Sequence, residues 1–150
     1  MAVQNEYSLW TRAPELGLIQ RCAQLGVAFV PFSPLARGVF GTPMADPARF
    51  AKDEFRSRIP RFHPENWPHN QLKLQVFHAF AESRGLTPPA LALAWLLDRG
   101  AHVLPIPGTR SANHLRAWAM APEIDLDDHD RDEIDRLLPI GWAWGDRYDD

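Results

Sequence analysis

The sequence predicts an α/β protein built on parallel strands, and three observations carry that prediction. Short apolar runs of strand length alternate with segments of helical period, an order that implies parallel strands joined by right-handed crossovers. Residues 27–32 are nearly all apolar, the pattern of a parallel strand covered on both faces, and residues 102–106 form a second such run. Fourteen prolines in 150 residues split the chain into short elements and exclude a simple helical bundle.

Taken in order, residues 2–5 read as a short strand. Pro14 suits the first turn of a helix whose apolar stripe is Leu18, Ile19, Cys22 and Leu25, with Gly26 placed to end it. The strand at 27–32 stops at Ser33-Pro34. Residues 36–70 are rich in Pro, Gly, Arg and Asp without a sustained period, so they read as a long loop, a functional lid or a disordered segment. Leu72, Val76 and Phe80, beside Phe77 and Ala81, mark a helix ended by Gly85. Thr87 caps a buried helix over residues 90–97, with Pro88 and Pro89 tolerated in its first turn. After the strand at 102–106, Ser111 caps a helix towards Met120. Asp127 caps a last one with Ile134, Leu137 and Leu138 inward. Neither an internal repeat nor a second boundary is visible, so residues 1–150 read as one domain. About three strands are present. A closed (β/α)8 barrel needs eight and about 250 residues, so the chain is part of a barrel or a small open sheet.

A net charge of −3 offers no electrostatic reason for nucleic acid or an anionic membrane as a partner. Cys22 stands alone, so no internal disulfide forms and a reducing, cytoplasmic setting is expected. Residues 1–6 lack the basic start and apolar stretch of a signal peptide. The longest apolar run, 90–97, falls short of the ~20 residues needed to cross a bilayer.

Parallel α/β proteins bind ligands at the carboxyl ends of their strands, and two such ends stand out. After residues 102–106, Gly108 lets backbone approach a ligand and Thr109 and Ser111 offer hydroxyls. Arg110 is a forked cation suited to phosphate, and the helix start adds free N–H groups. The plain alternative is a helix cap followed by an exposed arginine. After residues 27–32, Ser33 to Gly38 can wrap a second part of a phosphorylated ligand while Phe32 offers a flat face. The plain alternative there is a core Phe32 and a strand-ending Ser-Pro. His63, Glu65, His69 and His78 fit no compact zinc spacing and read as surface histidines. Cys22 reads as a small buried hydrophobe. Trp142 and Trp144 are placed to pack the tail or cover a substrate mouth.

Six pieces in order carry a resemblance: Gln4-Asn5-Glu6-Tyr7-Ser8-Leu9; Phe32-Ser33-Pro34-Leu35-Ala36-Arg37-Gly38; Phe55-Arg56 with Pro60-Arg61-Phe62; Leu91-Ala92-Leu93-Ala94-Trp95-Leu96-Leu97; Pro105-Ile106-Pro107-Gly108-Thr109-Arg110; and Gly145-Asp146-Arg147-Tyr148. Together they resemble the aldo/keto reductases, in the branch near voltage-gated potassium channel β subunits. The resemblance implies the C-terminal part of a (β/α)8 TIM barrel that holds NADPH across its top. It assigns Gln4 to the nicotinamide carboxamide and Phe32, where the family usually has Tyr, to stacking on the nicotinamide ring. Ser33, Leu35 and Gly38 follow the pyrophosphate, and Arg56 lies in a loop that closes over the cofactor. Gly108, Thr109, Arg110 and Ser111 receive the 2′-phosphate. Two departures stand out: Ala36 replaces a usual Gly, and Ala117-Trp118 replaces the Glu-Asn pair that grips adenine.

Carbonyl reduction also needs a proton donor. The family's Tyr, Lys, Asp and His lie in the N-terminal half of its barrel. Tyr7, Tyr148, Lys52 and Lys73 do not match them, so no catalytic residue is assigned. Met1 directly precedes a strand expected inside the sheet, and a partial barrel exposes strand edges and lumen side chains. The expectation is a truncated or split gene. Its product would act on a small-molecule carbonyl substrate only with a complementary N-terminal chain. The alternative is a non-catalytic NADP-binding or regulatory module.

Overall fold

The computed structural model describes residues 1–149. β1 (Ala2–Glu6) and β2 (Ala28–Phe32) pair in parallel, Ala2 opposite Ala28 through Glu6 opposite Phe32. The crossover between them is a 3-10 turn at Ala13–Leu16 and the helix α1 (Leu18–Gln24). Gly17, at φ 138°, separates the two, so the single helix expected after Pro14 is broken there. Gly26 ends α1 as the sequence indicates.

Residues 102–106, expected to be a strand, lie beside β2 but make only an interrupted ladder. Phe29 N donates to His102 O (2.7 Å), Leu104 N to Phe29 O (2.8 Å) and Ile106 N to Pro31 O (3.1 Å). The rung between the last two would need an N–H on Pro31, which proline lacks. A single bridge, Phe29 with Val103, is what remains of the predicted third strand.

One sheet face is core: Phe29 and Val103 are fully or almost fully buried beneath the helices. The other is not covered on this chain. Leu104 and Ile106 are about half exposed (51% and 49%), and Gln4 is exposed on the same side. The expectation of a strand buried on both faces therefore fails for β2, whose residues alternate between buried and half-buried. The outer edge of β1 has no partner strand among the described residues.

The buried side is organised by α3 (Pro88–Leu97), whose residues are buried through Leu96. Its start is set by Thr87, whose hydroxyl accepts from Ala90 N. Each fully buried leucine or larger side chain there contributes roughly 1.5–3 kcal/mol. α2 (Trp67–Ser83) begins inside the predicted loop and buries Asn70, Leu74, Phe77 and Ala81. Leu72 and Val76, from the expected stripe, are exposed (64% and 50%). The cause is Asn70, whose carboxamide donates to Arg61 O (3.0 Å) and Trp144 O (2.9 Å) and accepts from Trp144 N (2.8 Å), fixing the helix's rotation. The rest of the long loop is four 3-10 turns, Ala36–Gly38, Pro47–Arg49, Phe55–Arg58 and Pro60–Phe62, anchored by buried Phe40, Ile59 and Phe62. α4 (Ala112–Trp118) and α5 (Asp128–Leu137) start at the predicted caps. Asp127 and Asp130 cap each other reciprocally, and Ile134, Leu137 and Leu138 are buried as expected. Cys22 is buried on α1, and Trp142 packs the tail by donating to Leu9 O (2.6 Å).

Candidate functional site

β1, β2 and the 102–106 segment run the same way and end together at Glu6, Phe32 and Ile106. The two turns that leave this end face one another across a cleft of about 530 Å3. Ser33, Leu35 and Gly38 line one side, Gly108, Thr109 and Arg110 the other, and Arg56 reaches in from the long loop. That size falls within the range of small-molecule sites.

The first turn is wound tightly. Ser33, Ala36 and Arg37 have φ of 51°, 49° and 59°, and Gly38 has 98°. Left-handed backbone costs a non-glycine residue roughly 1–2 kcal/mol, so surrounding structure holds it. Ala36 N donates to Ser33 O (2.8 Å) and Gly38 N to Leu35 O (2.9 Å), while Val39 and Phe40 beyond are fully buried. At Gly38 the positive φ, not crowding, calls for glycine, since a Cβ there would only make ordinary contact with Arg56 Nη1 (3.5 Å).

The second turn is open. Gly108, Thr109 and Arg110 are exposed, and a Cβ on Gly108 would meet nothing within 4 Å. The fold does not require glycine at 108. Thr109 Oγ1 accepts from Ser111 N (3.1 Å), and Ser111 Oγ accepts from His114 N (3.4 Å). Ser111 is therefore the cap of α4 and does not line the cleft. With seven residues α4 is two turns long, so the anion attraction expected from its start is small beside that of the arginines.

The cations differ in how they are held. Arg110 has no ion-pair partner among the described residues. Arg56 is paired with Glu54, whose carboxyl it holds below the usual range, and donates to Arg37 O (3.1 Å). Arg37, also on the cleft wall, pairs with Glu6 (3.5 Å) and lies over the rings of Phe32 (5.9 Å) and Phe55 (5.2 Å).

Of the ten residues singled out from sequence, seven meet in the cleft: Ser33, Leu35, Gly38, Arg56, Gly108, Thr109 and Arg110. Phe32 and Gln4 lie outside its wall, at and within the strand ends that carry it, and Ser111 sits behind it as a cap. Arg37, His114 and Trp118 line the cleft without having been assigned. Arg37 stood inside a quoted motif, and its side chain was the available signal. Trp118 carries a buried indole N–H without a hydrogen-bond partner.

The histidines are dispersed: His69 stacks on Trp144 (4.1 Å between ring centres) and His78 bonds Val39 O (2.9 Å). Neither tyrosine lines the cleft. Tyr7 is fully buried, and burial, with Glu15 nearby, pushes its hydroxyl far above the usual value. The Tyr148 hydroxyl donates to Glu6 Oε2 (2.8 Å).

The sequence model of the aldo/keto reductase family matches residues 1–139. The chain belongs to the aldo/keto reductase family. A probable aldo-keto reductase from Glycine max is 38% identical over 147 residues, which are 98% of this chain and 42% of that protein. Among solved structures, the glycerol dehydrogenase of Gluconobacter oxydans superposes with a TM-score of 0.82 at 25% identity, over 91% of this chain and 42% of that one. An aldo/keto reductase from Klebsiella pneumoniae, solved with NADP and acetate, gives 0.66 at 26% identity, over 99% and 42%. The chain thus spans about two fifths of the length of these aldo/keto reductases. Its fold is the corresponding portion of theirs.

Proposed function

We propose that the cleft binds NADP(H), with the phosphates between the two turns and the 2′-phosphate at Arg110. One observation carries this reading: turns 70 residues apart in sequence converge on a single cleft whose walls bear Arg37, Arg56 and Arg110. The unpaired Arg110 and the open space at Gly108 fit a phosphate brought from solvent. The Klebsiella relative solved with NADP supports the same ligand. Phe32 and Gln4, at the ends of β2 and β1, are proposed for the nicotinamide side, and Ser111 supports the phosphate turn as its cap. The six ordered motifs favour the branch near potassium channel β subunits.

When bound, NADPH supplies hydride for reducing an aldehyde or ketone. This chain's residues hold its phosphates between the two turns. Neither tyrosine lines the cleft, so a proton donor for the carbonyl oxygen is proposed to come from the part of the family's barrel that residues 1–150 do not span. The experiment is titration of the purified chain with NADPH and NADH, read by tryptophan fluorescence, together with an aldehyde turnover assay. Arg110→Ala should weaken NADPH about tenfold or more and NADH little, the loss of a charged hydrogen bond. Equal losses overturn the 2′-phosphate assignment, and turnover by residues 1–150 alone overturns the assignment of the proton donor to the part of the barrel they do not span.

A further inference from the structure

Glu6 is a buried carboxylate at the end of β1, 7% exposed, and nothing in the cofactor reading uses it. Its two oxygens are fully engaged. Oε1 accepts from the Thr11 hydroxyl (3.0 Å); Oε2 accepts from Arg147 Nε (3.1 Å) and the Tyr148 hydroxyl (2.8 Å) and pairs with Arg37 (3.5 Å). Three of these partners come from two regions, one of which lines the cleft. Arg37 belongs to the left-handed first turn, and Arg147 and Tyr148 belong to the C-terminal tail.

The tail is itself fastened down. Arg61 donates to Gly145 O (3.3 Å), and a Cβ on Gly145 would come within 2.6 Å of Asn66 Nδ2, so only glycine allows that approach. Tyr148 then lies against Phe55 (6.2 Å), in the turn that carries Arg56, and accepts from Arg37 (3.1 Å). The last link is backbone: Arg37 O accepts from the Arg56 guanidinium that enters the cleft. The side-chain packing around Glu6 leaves room for about 10 Å3, too little for a ligand. The cluster is a brace.

We infer that Glu6 is a positioning residue for the cofactor cleft: by holding Arg37 against Tyr148 and Arg147, it fixes the carbonyl that aims Arg56 at the ligand. The inference rests on the nucleotide reading for its effect on affinity, but the brace exists without ligand. A carboxylate is needed because it holds two guanidiniums and two hydroxyls at once; a neutral amide of the same shape keeps the packing and loses both ion pairs.

The test is a double-mutant cycle on the full chain, with NADPH as probe and amide hydrogen exchange of Arg37, Gly38 and Val39 in the ligand-free protein as second readout. Glu6→Gln should weaken NADPH about fivefold and quicken exchange at those amides, and Tyr148→Phe, at an exposed position, about twofold. In an Arg56→Gln background the penalty of Glu6→Gln should shrink below about twofold, which a merely structural role would not produce. Equal penalties in both backgrounds overturn the route through Arg56. If the wild-type chain binds no NADPH, the nucleotide reading fails and hydrogen exchange decides the brace by itself. Unchanged exchange at Arg37 and Gly38 then overturns it, and quickened exchange supports it.

Discussion

The two turns that form the cleft occupy equivalent places, each at the carboxyl end of a strand, yet they are built in opposite ways. The turn at Ser33–Gly38 carries three strained non-glycine residues, runs into fully buried Val39 and Phe40, and is braced by Glu6. The turn at Gly108–Arg110 is exposed, leads into a helix with no buried residue, and presents an arginine without an ion pair among the described residues. One side is preorganised and the other is free to adapt. Strain stored where structure over-determines it marks a site that keeps its shape. A loosely held cation reaches its geometry when an anion arrives.

The largest expected effect tests the rigid side. Phe40→Ala removes a ring packed edge-on against Phe77 (5.2 Å) and should cost about 3–5 kcal/mol in urea unfolding. Leu115→Ala on α4, where the side chain is 46% exposed, should stay within about 0.5 kcal/mol. Comparable losses would erase the contrast. Ser111→Ala should cost up to about 1 kcal/mol, most of it as fraying of α4 in amide exchange, with the first turn unaffected.

A pH effect is expected on the rigid side. His78 bonds Val39 O, and burial lowers its pKa below the ordinary value. The folded state then takes up fewer protons than the unfolded chain. Stability is intact above the unfolded pKa of about 6.5 and falls as pH drops below it towards the depressed folded value. His78→Gln should flatten that part of the stability curve; an unchanged slope would remove His78 as its source. The smallest effect is at Ala36. Glycine there relieves the left-handed strain of about 1–2 kcal/mol while forfeiting a buried methyl worth about 0.8, so Ala36→Gly should stabilise by roughly 0.5 kcal/mol. A clear loss of stability would mean that the methyl outweighs the strain.

What could be read from sequence follows the range of the interactions. Thr87, Ser111 and Asp127 cap the helices they were expected to cap, because cap chemistry is local. The run at 102–106 reads as a strand, but Pro31 sits where the ladder needs a donor and the strand dwindles to a bridge. The rotation of α2 was misread because Asn70, tied to Arg61 and Trp144, outweighs the stripe of Leu72 and Val76. Arg110 and Gly108 announced themselves by residue type. Their convergence with Ser33 and Gly38 is tertiary, and no local signal joins Glu6 to Tyr148 across 142 positions.

The most direct measurement is an amide chemical-shift titration of the labelled chain with NADPH. Gly38 in the braced turn and Gly108 and Thr109 in the open one should shift together along one binding curve, with the larger changes in the open turn. Shifts in only one turn, or two curves with separate dissociation constants, would contradict a single cleft shared by both.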